Sequence, residues 1–489
     1  MRQPYFRLDR AAGYHCFVRF QHRRLRRWLY DMTSIFQMTG WFFARAPRSL
    51  TKVICAAMGE LAWLLGIRRR LVLSNLAHAF PDRPVAWRRR MGRRTMRRMM
   101  EMFLLAIALP ALSTRKRARL LRVSEELTRQ IASQSGRPAV ILVPHATLME
   151  GLVLAPAAVP GWQPTSVLFR PLDYQPLDRW VRESRQKWGA KLVSRKAELP
   201  RLRAHLKEGG WVAILFDQHA SGGALSLCFD RVCASTHLPG MLAQRHGADV
   251  CFATIERTGF WEGRMQMKRL DVAVDPETVT VTADRELEAY LRSHDERCAG
   301  WFWAHNRWKT HSDPEQAFNL EQKRSYLKTA LRLRGEERLQ RTEGYWVWPP
   351  ADRQIAAALL PWLRALRSGR PNAALVICPP EGASAFWRTT GIADALRERA
   401  SGTVVVVSGD TQPPRFPRDE PDLCIILDPD PQAARQARRT GTRRRFGVAG
   451  WNTGRRDYSH TGPSPRDPRN PAHWEPFFRR FGLFGPGIG

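Results

Sequence analysis

The chain has 489 residues, of which 44% are hydrophobic and 10% aromatic, so a packed globular protein with more than one domain is expected. Its formal net charge is +34, from 79 Lys and Arg against 45 Asp and Glu, which excludes a charge-balanced surface and indicates a polyanionic partner. The candidates are an anionic membrane surface, an acidic carrier protein and nucleic acid.

Residues 1–125 form the first predicted region, which is basic, amphipathic and mostly helical. Arginines alternate with Trp, Met and Leu in residues 23–29 and 87–94, a pattern that suits a membrane interface. No apolar run reaches the ~20 residues of a spanning helix, and no signal-peptide core follows Met1. We therefore predict a peripheral membrane-associating region and no nucleic-acid partner. A merely solvated basic surface is the alternative.

Residues 126–312 alternate between apolar strand runs and helix patterns, which predicts an α/β layered sheet. The predicted strands are residues 138–143, 165–169, 191–193, 211–216 and 250–255. The predicted helices are residues 176–188, 198–207 and 237–246.

Three of these strands are followed by polar side chains. The first leads to His145 and Glu150, the second to Arg170, and the fourth to Asp217 and Gln218. Because parallel strands end at a common edge of a sheet, one site is expected there. A histidine beside a carboxylate can take a proton from an alcohol. The spacing alone also fits a histidine at the edge of the core and a solvent-facing glutamate.

The spacing of His145 and Glu150 limits how they can meet. On one ideal helix, residues five apart point about 140° away from each other. The two can therefore interact only if His145 lies in the turn before a helix that contains Glu150. Thr147 is a candidate N-cap for that helix.

The eight cysteines are scattered along the chain without a Cys-x-x-Cys pair, which argues against zinc. Cys228 and Cys233 are interpreted as small buried residues. We predict neither a metal site nor a cofactor.

Five segments, taken in order, resemble the bacterial lipid A late acyltransferases, the lauroyl and myristoyl transferases, over residues 35–310. The family's signatures are a helix ending in N-L-x-x-A-F-P, a His-x-x-x-x-Asp/Glu motif, and the blocks R-P-x-x-N-P-x-x-D, P-D-Q and W-x-H-x-R-x-K. The corresponding segments are residues 69–81, 144–151, 169–178, 216–218 and 303–309. Gln175, Phe216 and the loop 219–223 depart from the family pattern, which leaves chain length and acceptor identity open.

The resemblance implies a layered αβα acyltransferase fold at the cytoplasmic face of the inner membrane. His145 would act as general base on a hydroxyl of a lipid A precursor, with Glu150 orienting it. The acyl group would come from a thioester of acyl-carrier protein or coenzyme A. Arg170 would meet the oxyanion or hold an acceptor phosphate, and Asp217 and Gln218 would bind substrate or form a structural hub. The alternatives are another glycolipid or phospholipid acceptor, or a non-enzymatic basic membrane-binding protein.

Residues 313–369 are predicted as a helical linker, and residues 370–489 as a second α/β unit. Its predicted strands are residues 373–378, 403–407 and 423–427, with a helix at 391–399. From about residue 430 the sequence has little periodicity, and its end is expected to be unstructured. Residues 374–396, 443–447 and 470–473 resemble the N-terminal half of a heptosyltransferase. The resemblance implies a truncated, catalytically silent Rossmann-like module; an unrelated α/β appendage is the alternative.

Overall fold

The computed structural model describes most of the chain. The described residues are 34–134, 136–169, 171, 175–194, 199–220, 223–308, 329, 331–333, 335, 343–369, 373–399, 404–406, 421–442, 444–451 and 457–481. Our predictions for residues 1–33, for Arg170 and for the tail beyond residue 481 lie outside these ranges.

The described residues from 34 to 133 form helices, as predicted for this part of the basic region. They are α1 (residues 34–45), α2 (Arg48–Leu64), α3 (Arg69–Ala79), α4 (Val85–Ala108), α5 (Thr114–Leu120) and α6 (Glu125–Ser133). Helices α2 and α4 cross closely at Gly59, where a Cβ would lie 2.6 Å from the Cα of Arg97. One of the two hydrophobic clusters around the first sheet includes Trp63, Met91 and Met96, which fixes these helices on the sheet.

Strands and helices then alternate through residue 300. The strands are β1 (Ala139–Val143), β2 (Thr165–Phe169), β3 (Lys191–Ser194), β4 (Trp211–Leu215), β5 (Ala224–Cys228), β6 (Arg231–Ser235), β7 (Asp249–Gly259) and β8 (Glu262–Arg269). The helices are α7 (Ala155–Ala158), α8 (Gln175–Gln186), α9 (Leu199–Lys207), α10 (Leu238–His246), α11 (Pro276–Ser293) and α12 (Asp295–Gly300).

The first sheet has the order β3-β2-β4-β1-β7-β8 and is parallel except for the β7–β8 pair. In β1, Val140 and Leu142 join one buried cluster, whereas Ile141 and Val143 join the other. The period-two alternation thus buries both faces of the strand, as in a sheet covered on both sides. The predicted α/β layered class is confirmed. The hairpin of β5 and β6, which forms a separate two-stranded sheet, was not predicted.

The second unit also contains a sheet, and it begins earlier than predicted. Its strands are β9 (Glu343–Trp348), β10 (Ala373–Ile377), β11 (Ala395–Arg397), β12 (Val404–Val406), β13 (Leu423–Ile426), β14 (Arg444–Val448) and β15 (His460–Gly462). Its helices are α13 (Arg353–Gly369), α14 (Ser384–Thr389), α15 (Pro431–Arg439) and α16 (Glu475–Arg480).

Strand β9 lies between β10 and β13 and pairs with both in parallel. Residues 343–369 therefore belong to this sheet and its packing, not to a linker. The predicted helix at 391–399 is wrong, because β11 occupies that stretch and pairs with β10. The described residues between 431 and 481 form further helices and strands despite their weak periodicity.

The strand order of the second sheet is β12-β11-β10-β9-β13-β14-β15. Apart from β12, which is antiparallel to β11, the strands are parallel. Numbered by appearance, the six parallel strands run 3-2-1-4-5-6, which is the order of a Rossmann sheet. The likeness to a heptosyltransferase stays a prediction.

Among the described helices, none alone is long and apolar enough to cross a bilayer. Helices α2 and α3 pass that test only as a pair, and they meet at 91°. Several apolar residues of α2 are nevertheless exposed: the exposed fraction is 64% for Val53 and 69% for Leu64.

Candidate active site

His145 and Asp217 lie side by side because their strands are neighbours. Strands β1 and β4 pair in parallel register with Val143 opposite Leu215, and each residue follows two positions later. The Nδ1 of His145 is 2.6 Å from Oδ1 of Asp217. The backbone N–H of His145 donates to Oδ2 of the same carboxylate at 2.8 Å. The prediction that these strand ends share one site is thus realised for His145 and Asp217.

Asp217 is held as a carboxylate in a buried position. Its exposed fraction is 1%, and the indole N–H of Trp301 also donates to its Oδ2, at 2.6 Å. Burial alone would raise the pKa of Asp217, but attraction to His145 and the hydrogen bonds from His145 and Trp301 lower it to about 2. Because an ionised carboxylate only accepts hydrogen bonds, the proton of a neutral His145 ring resides on Nδ1.

The second ring nitrogen of His145 is therefore the basic one. The side-chain amide nitrogen of Gln218 lies 3.1 Å from Nε2 and can donate to it. The His145 side chain is 13% exposed. With Nδ1 held by the carboxylate, the lone pair of the imidazole is on Nε2, where it can accept a proton from a hydroxyl that takes the place of the Gln218 amide.

Glu150 is not the partner of His145, contrary to our prediction. Its carboxylate forms a two-pronged ion pair with Arg185 of α8, with distances of 3.0 Å from Nε to Oε2 and 2.5 Å from Nη2 to Oε1. Glu150 is also buried, so the alternative of a solvent-facing glutamate does not hold either. Burial would lower the pKa of Arg185, but the charge and hydrogen bonds of Glu150 raise it.

The local backbone explains the difference. Residues Met149–Leu154 form a 3₁₀ helix and not the predicted α-helix, and no side chain caps its start. The hydroxyl of Thr147, the predicted N-cap, instead donates to the carbonyl of Gly300 at 3.2 Å. A bridge between Ala146 and Trp301 holds the chain after His145 against residues 300–302.

A narrow apolar cavity of about 80 Å³ adjoins this segment. Glu150 and Arg185 are the charged residues of its lining. The other lining residues come mainly from β1, β2, β4 and the 3₁₀ helix: Ile141, Val143, Met149, Leu152, Val153, Pro156, Trp162, Thr165, Val167, Leu168, Phe169, Ala190, Ala213, Ile214, Leu215 and Ala253. The apolar lining suits the contact of a short part of a hydrocarbon chain.

A buried ion pair supports the loop that carries Gln218. Arg307 and Asp284 are both fully buried, with 2.7 Å between Nη2 and Oδ1. Arg307 also donates from Nη1 to the carbonyl oxygens of Gln218 at 3.1 Å and Ala234 at 3.3 Å. Burial would lower the pKa of Arg307, but the charge of Asp284 raises it, so Arg307 stays charged. Its pairing with Asp284 could not be read from the sequence, because 23 residues separate the two.

Sequence reasoning missed Trp301, which completes the set of donors around Asp217. The only signal was its place in the tryptophan-rich run 301–308, next to the block that resembles the family's closing signature. Within the described ranges, no group of three or more His, Cys, Asp or Glu is placed to hold a metal ion. Cys228 and Cys233 are buried free thiols, as predicted.

A comparison with known protein families gives a match. The sequence model of the bacterial lipid A biosynthesis acyltransferases matches residues 19–310, which is more than half of the chain and includes all of the candidate active site. A search of curated proteins finds no match. The chain therefore belongs to the bacterial lipid A biosynthesis acyltransferase family, whose members are acyltransferases that act on lipid A precursors.

Proposed function

We propose that this protein moves a fatty acyl group from a thioester, of acyl-carrier protein or coenzyme A, to a hydroxyl of a lipid A precursor, with His145 as the general base. The observation that carries the proposal is the 2.6 Å contact between Nδ1 of His145 and the buried carboxylate of Asp217. That contact leaves Nε2 as the nitrogen that accepts the hydroxyl proton.

The reaction follows from this assignment. Nε2 of His145 takes the proton as the acceptor oxygen attacks the thioester carbonyl and forms a tetrahedral oxyanion. The oxyanion collapses, the carbon–sulfur bond breaks, and the imidazolium returns the proton to the departing thiolate. Asp217 stabilises the imidazolium and keeps the ring in the required tautomer, as the acid of a catalytic triad does. No metal or cofactor takes part in this scheme.

Glu150 has a different role in this proposal from the one its spacing suggested. Its pair with Arg185 lies in the wall of the apolar cavity, which we assign to the acyl chain. The pair would anchor the 3₁₀ helix to α8 and so shape the cavity beside the reacting carbonyl. For Arg170, which directly follows Phe169 in the sequence, the proposal keeps both roles that the resemblance implies, oxyanion donor or grip on an acceptor phosphate.

The place of action is also part of the proposal. The family is membrane-associated, and the exposed apolar residues of α1 and α2 together with the basic surplus support attachment at the cytoplasmic face of the inner membrane. A thioester donor delivered from the cytoplasm would reach the site from that face.

The test is acyl transfer by the purified full-length protein with lauroyl or myristoyl thioesters of each carrier. A lipid A precursor and a phospholipid are offered in parallel as acceptors, and products are weighed by mass spectrometry. His145→Ala should reduce turnover by about 10²–10⁴-fold, the usual contribution of a general base. His205→Ala, at a buried histidine on α9, is the matched control for loss of an imidazole. Transfer that persists in His145→Ala, or a product made only with the phospholipid, would contradict the proposal.

A further inference from the structure

The peptide group between Gln218 and His219 is held on both sides by one short segment of the chain. Its carbonyl oxygen accepts the hydrogen bond from Nη1 of Arg307, at 3.1 Å. Its N–H donates to Nε2 of His305 at 2.9 Å. Because a trans peptide group is planar and its C=O and N–H point in opposite directions, these two bonds fix its orientation as well as its position. We call the two contacts the peptide clamp.

The clamp adjoins the two side chains that hydrogen-bond the ring of His145. Gln218, which contributes the carbonyl of the held peptide, places its amide nitrogen 3.1 Å from Nε2 of the ring. Asp217, one residue earlier, contacts Nδ1. Both side chains therefore extend from backbone that the clamp holds. A rotation of this peptide group would displace both of them together.

His305 can take part in the clamp only as a neutral ring. Its Nε2 accepts from a backbone N–H and must carry the lone pair, so the ring proton resides on Nδ1. Burial lowers the pKa of His305 to about 4, and the charge of Asp217 opposes that shift. The cationic forms of Arg307, His145 and His219 lower the pKa further by repulsion. At neutral pH His305 is therefore an acceptor and not a cation.

The segment that carries His305 is itself tied to the rest of the fold. Asn75 of α3 donates from Nδ2 to the carbonyl oxygens of Trp303 at 2.8 Å and of His305 at 2.9 Å. The N–H of Phe302 donates to the carbonyl of His145 at 3.0 Å. His305 thus acts from a supported segment that also contacts the backbone of the proposed base, which is the arrangement that holds reacting groups in place.

We propose that His305 is a positioning residue for acyl transfer, which holds the peptide group after Gln218 so that Gln218 and Asp217 keep their contacts with the ring of His145. It acts through those two side chains and takes no proton itself. This inference rests on the proposed function, because the ring that it serves is the proposed general base. A histidine that only stabilised the fold would leave the ring of His145 as it is.

The experiment compares His305→Phe with His305→Gln in the full-length protein. Phenylalanine keeps a planar ring but offers no acceptor to the N–H of His219, whereas the amide oxygen of glutamine can accept it. His305→Phe should lower kcat by about 100-fold, the cost of a shift of about 1 Å between reacting groups. The KM for the thioester should stay near the wild-type value, because His305 is not assigned to donor binding. His305→Gln should recover most of the lost kcat.

The matched control is His246→Phe, the same exchange at a partly buried histidine that ends α10. Strand β7 begins three residues later and pairs with the start of β1, so His246 lies at the opposite edge of the sheet from His145. This variant should leave kcat at the wild-type value. Thermal unfolding of all three variants separates a loss of stability from a loss of positioning.

A second readout does not depend on turnover. The ¹⁵N chemical shifts of the His145 ring report its protonated nitrogen and the hydrogen bond at Nε2, so they should change in His305→Phe and return in His305→Gln. If the wild type transfers no acyl group, the proposed function fails, and these shifts alone then decide whether the clamp positions the ring.

Three results would overturn the proposal. One is wild-type ring shifts of His145 in His305→Phe with kcat also unchanged. Another is a fall in kcat without any change in those shifts, because His305 would then act on the reaction directly. The third is a folded His305→Gln that is as inactive as His305→Phe, because the acceptor atom would then not be the property that matters.

Discussion

Replacing Asp217 with asparagine should inactivate the protein through the tautomer of His145. The Oδ2 of Asp217 receives two N–H donors, from the His145 backbone and Trp301, so the oxygen of the new amide must take that position. The NH₂ group of the amide would then face Nδ1, which could no longer donate. The ring proton would move to Nε2, the nitrogen proposed to accept the hydroxyl proton.

The expected loss in kcat is about 10³–10⁴-fold, since the same exchange in a serine-protease triad costs about 10⁴. The assay is acyl transfer at saturating donor, together with ¹⁵N chemical shifts of the His145 ring, which report the protonated nitrogen directly. Thermal unfolding of the variant separates inactivation from loss of fold. A variant that keeps kcat within about tenfold, with its proton still on Nδ1, would refute the reasoning.

Two further predictions concern stability. The pKa of Asp217 is about 2 in the folded protein, against 3.8 for the unperturbed group. The ionised carboxylate therefore contributes about 2 kcal/mol to the free energy of unfolding above pH 4, and this contribution is lost as the pH falls toward 2. Urea unfolding should show this loss in the wild type and not in Asp217→Asn. Glu150→Gln removes the charged partner of Arg185 and should lower the free energy of unfolding by about 1–3 kcal/mol. The loss is smaller than for a fully buried pair because the Arg185 side chain is 24% exposed. It should lower kcat far less than Asp217→Asn, and an equal effect would return Glu150 to the role of His145's partner.

The alternation of strands and helices in residues 126–312 was readable from the sequence, because apolar runs bounded by glycine and polar residues have few other interpretations. The position of His145 at a strand end followed from the same pattern. The partner of His145 could not be predicted from that pattern. Sequence proximity favoured Glu150, five residues away, whereas strand register brings in Asp217, 72 residues away. Register between β1 and β4 is a tertiary property that no local pattern contains.

The second unit shows a different limit. Pro349 and Pro350 favour a break in the chain, yet the residues just before them form the central strand β9. In a parallel sheet both faces of a strand are buried, so the usual alternation of polar and apolar residues is absent. In β9, Trp346 and Trp348 pack on one face of the sheet and Tyr345 and Val347 on the other. A strand with apolar residues on both faces cannot be recognised by alternation of polar and apolar residues.

The contact between the two units carries a last prediction. Asp422 of the second unit accepts a hydrogen bond from Arg231 of β6 at 3.1 Å and another from the N–H of Gly344 at 3.0 Å. The Arg231 side chain is 7% exposed. Further along β6, the carbonyl of Ala234 accepts a hydrogen bond from the N–H of Ala220, which lies two residues after Gln218. Asp422→Asn removes the charge from a nearly buried pair, so hydrogen exchange at the Ala220 amide should quicken.

The control for this variant is Asp352→Asn, at an exposed ion pair confined to the second unit. It should leave exchange at the Ala220 amide unchanged, because exposed pairs contribute little. If both variants leave that amide equally protected, the second unit does not support the loop. If only Asp422→Asn speeds hydrogen exchange at the Ala220 amide, the contact with Asp422 stabilises that amide through residues 231–234 of β6. A short paired strand cannot shift at one end and stay fixed at the other.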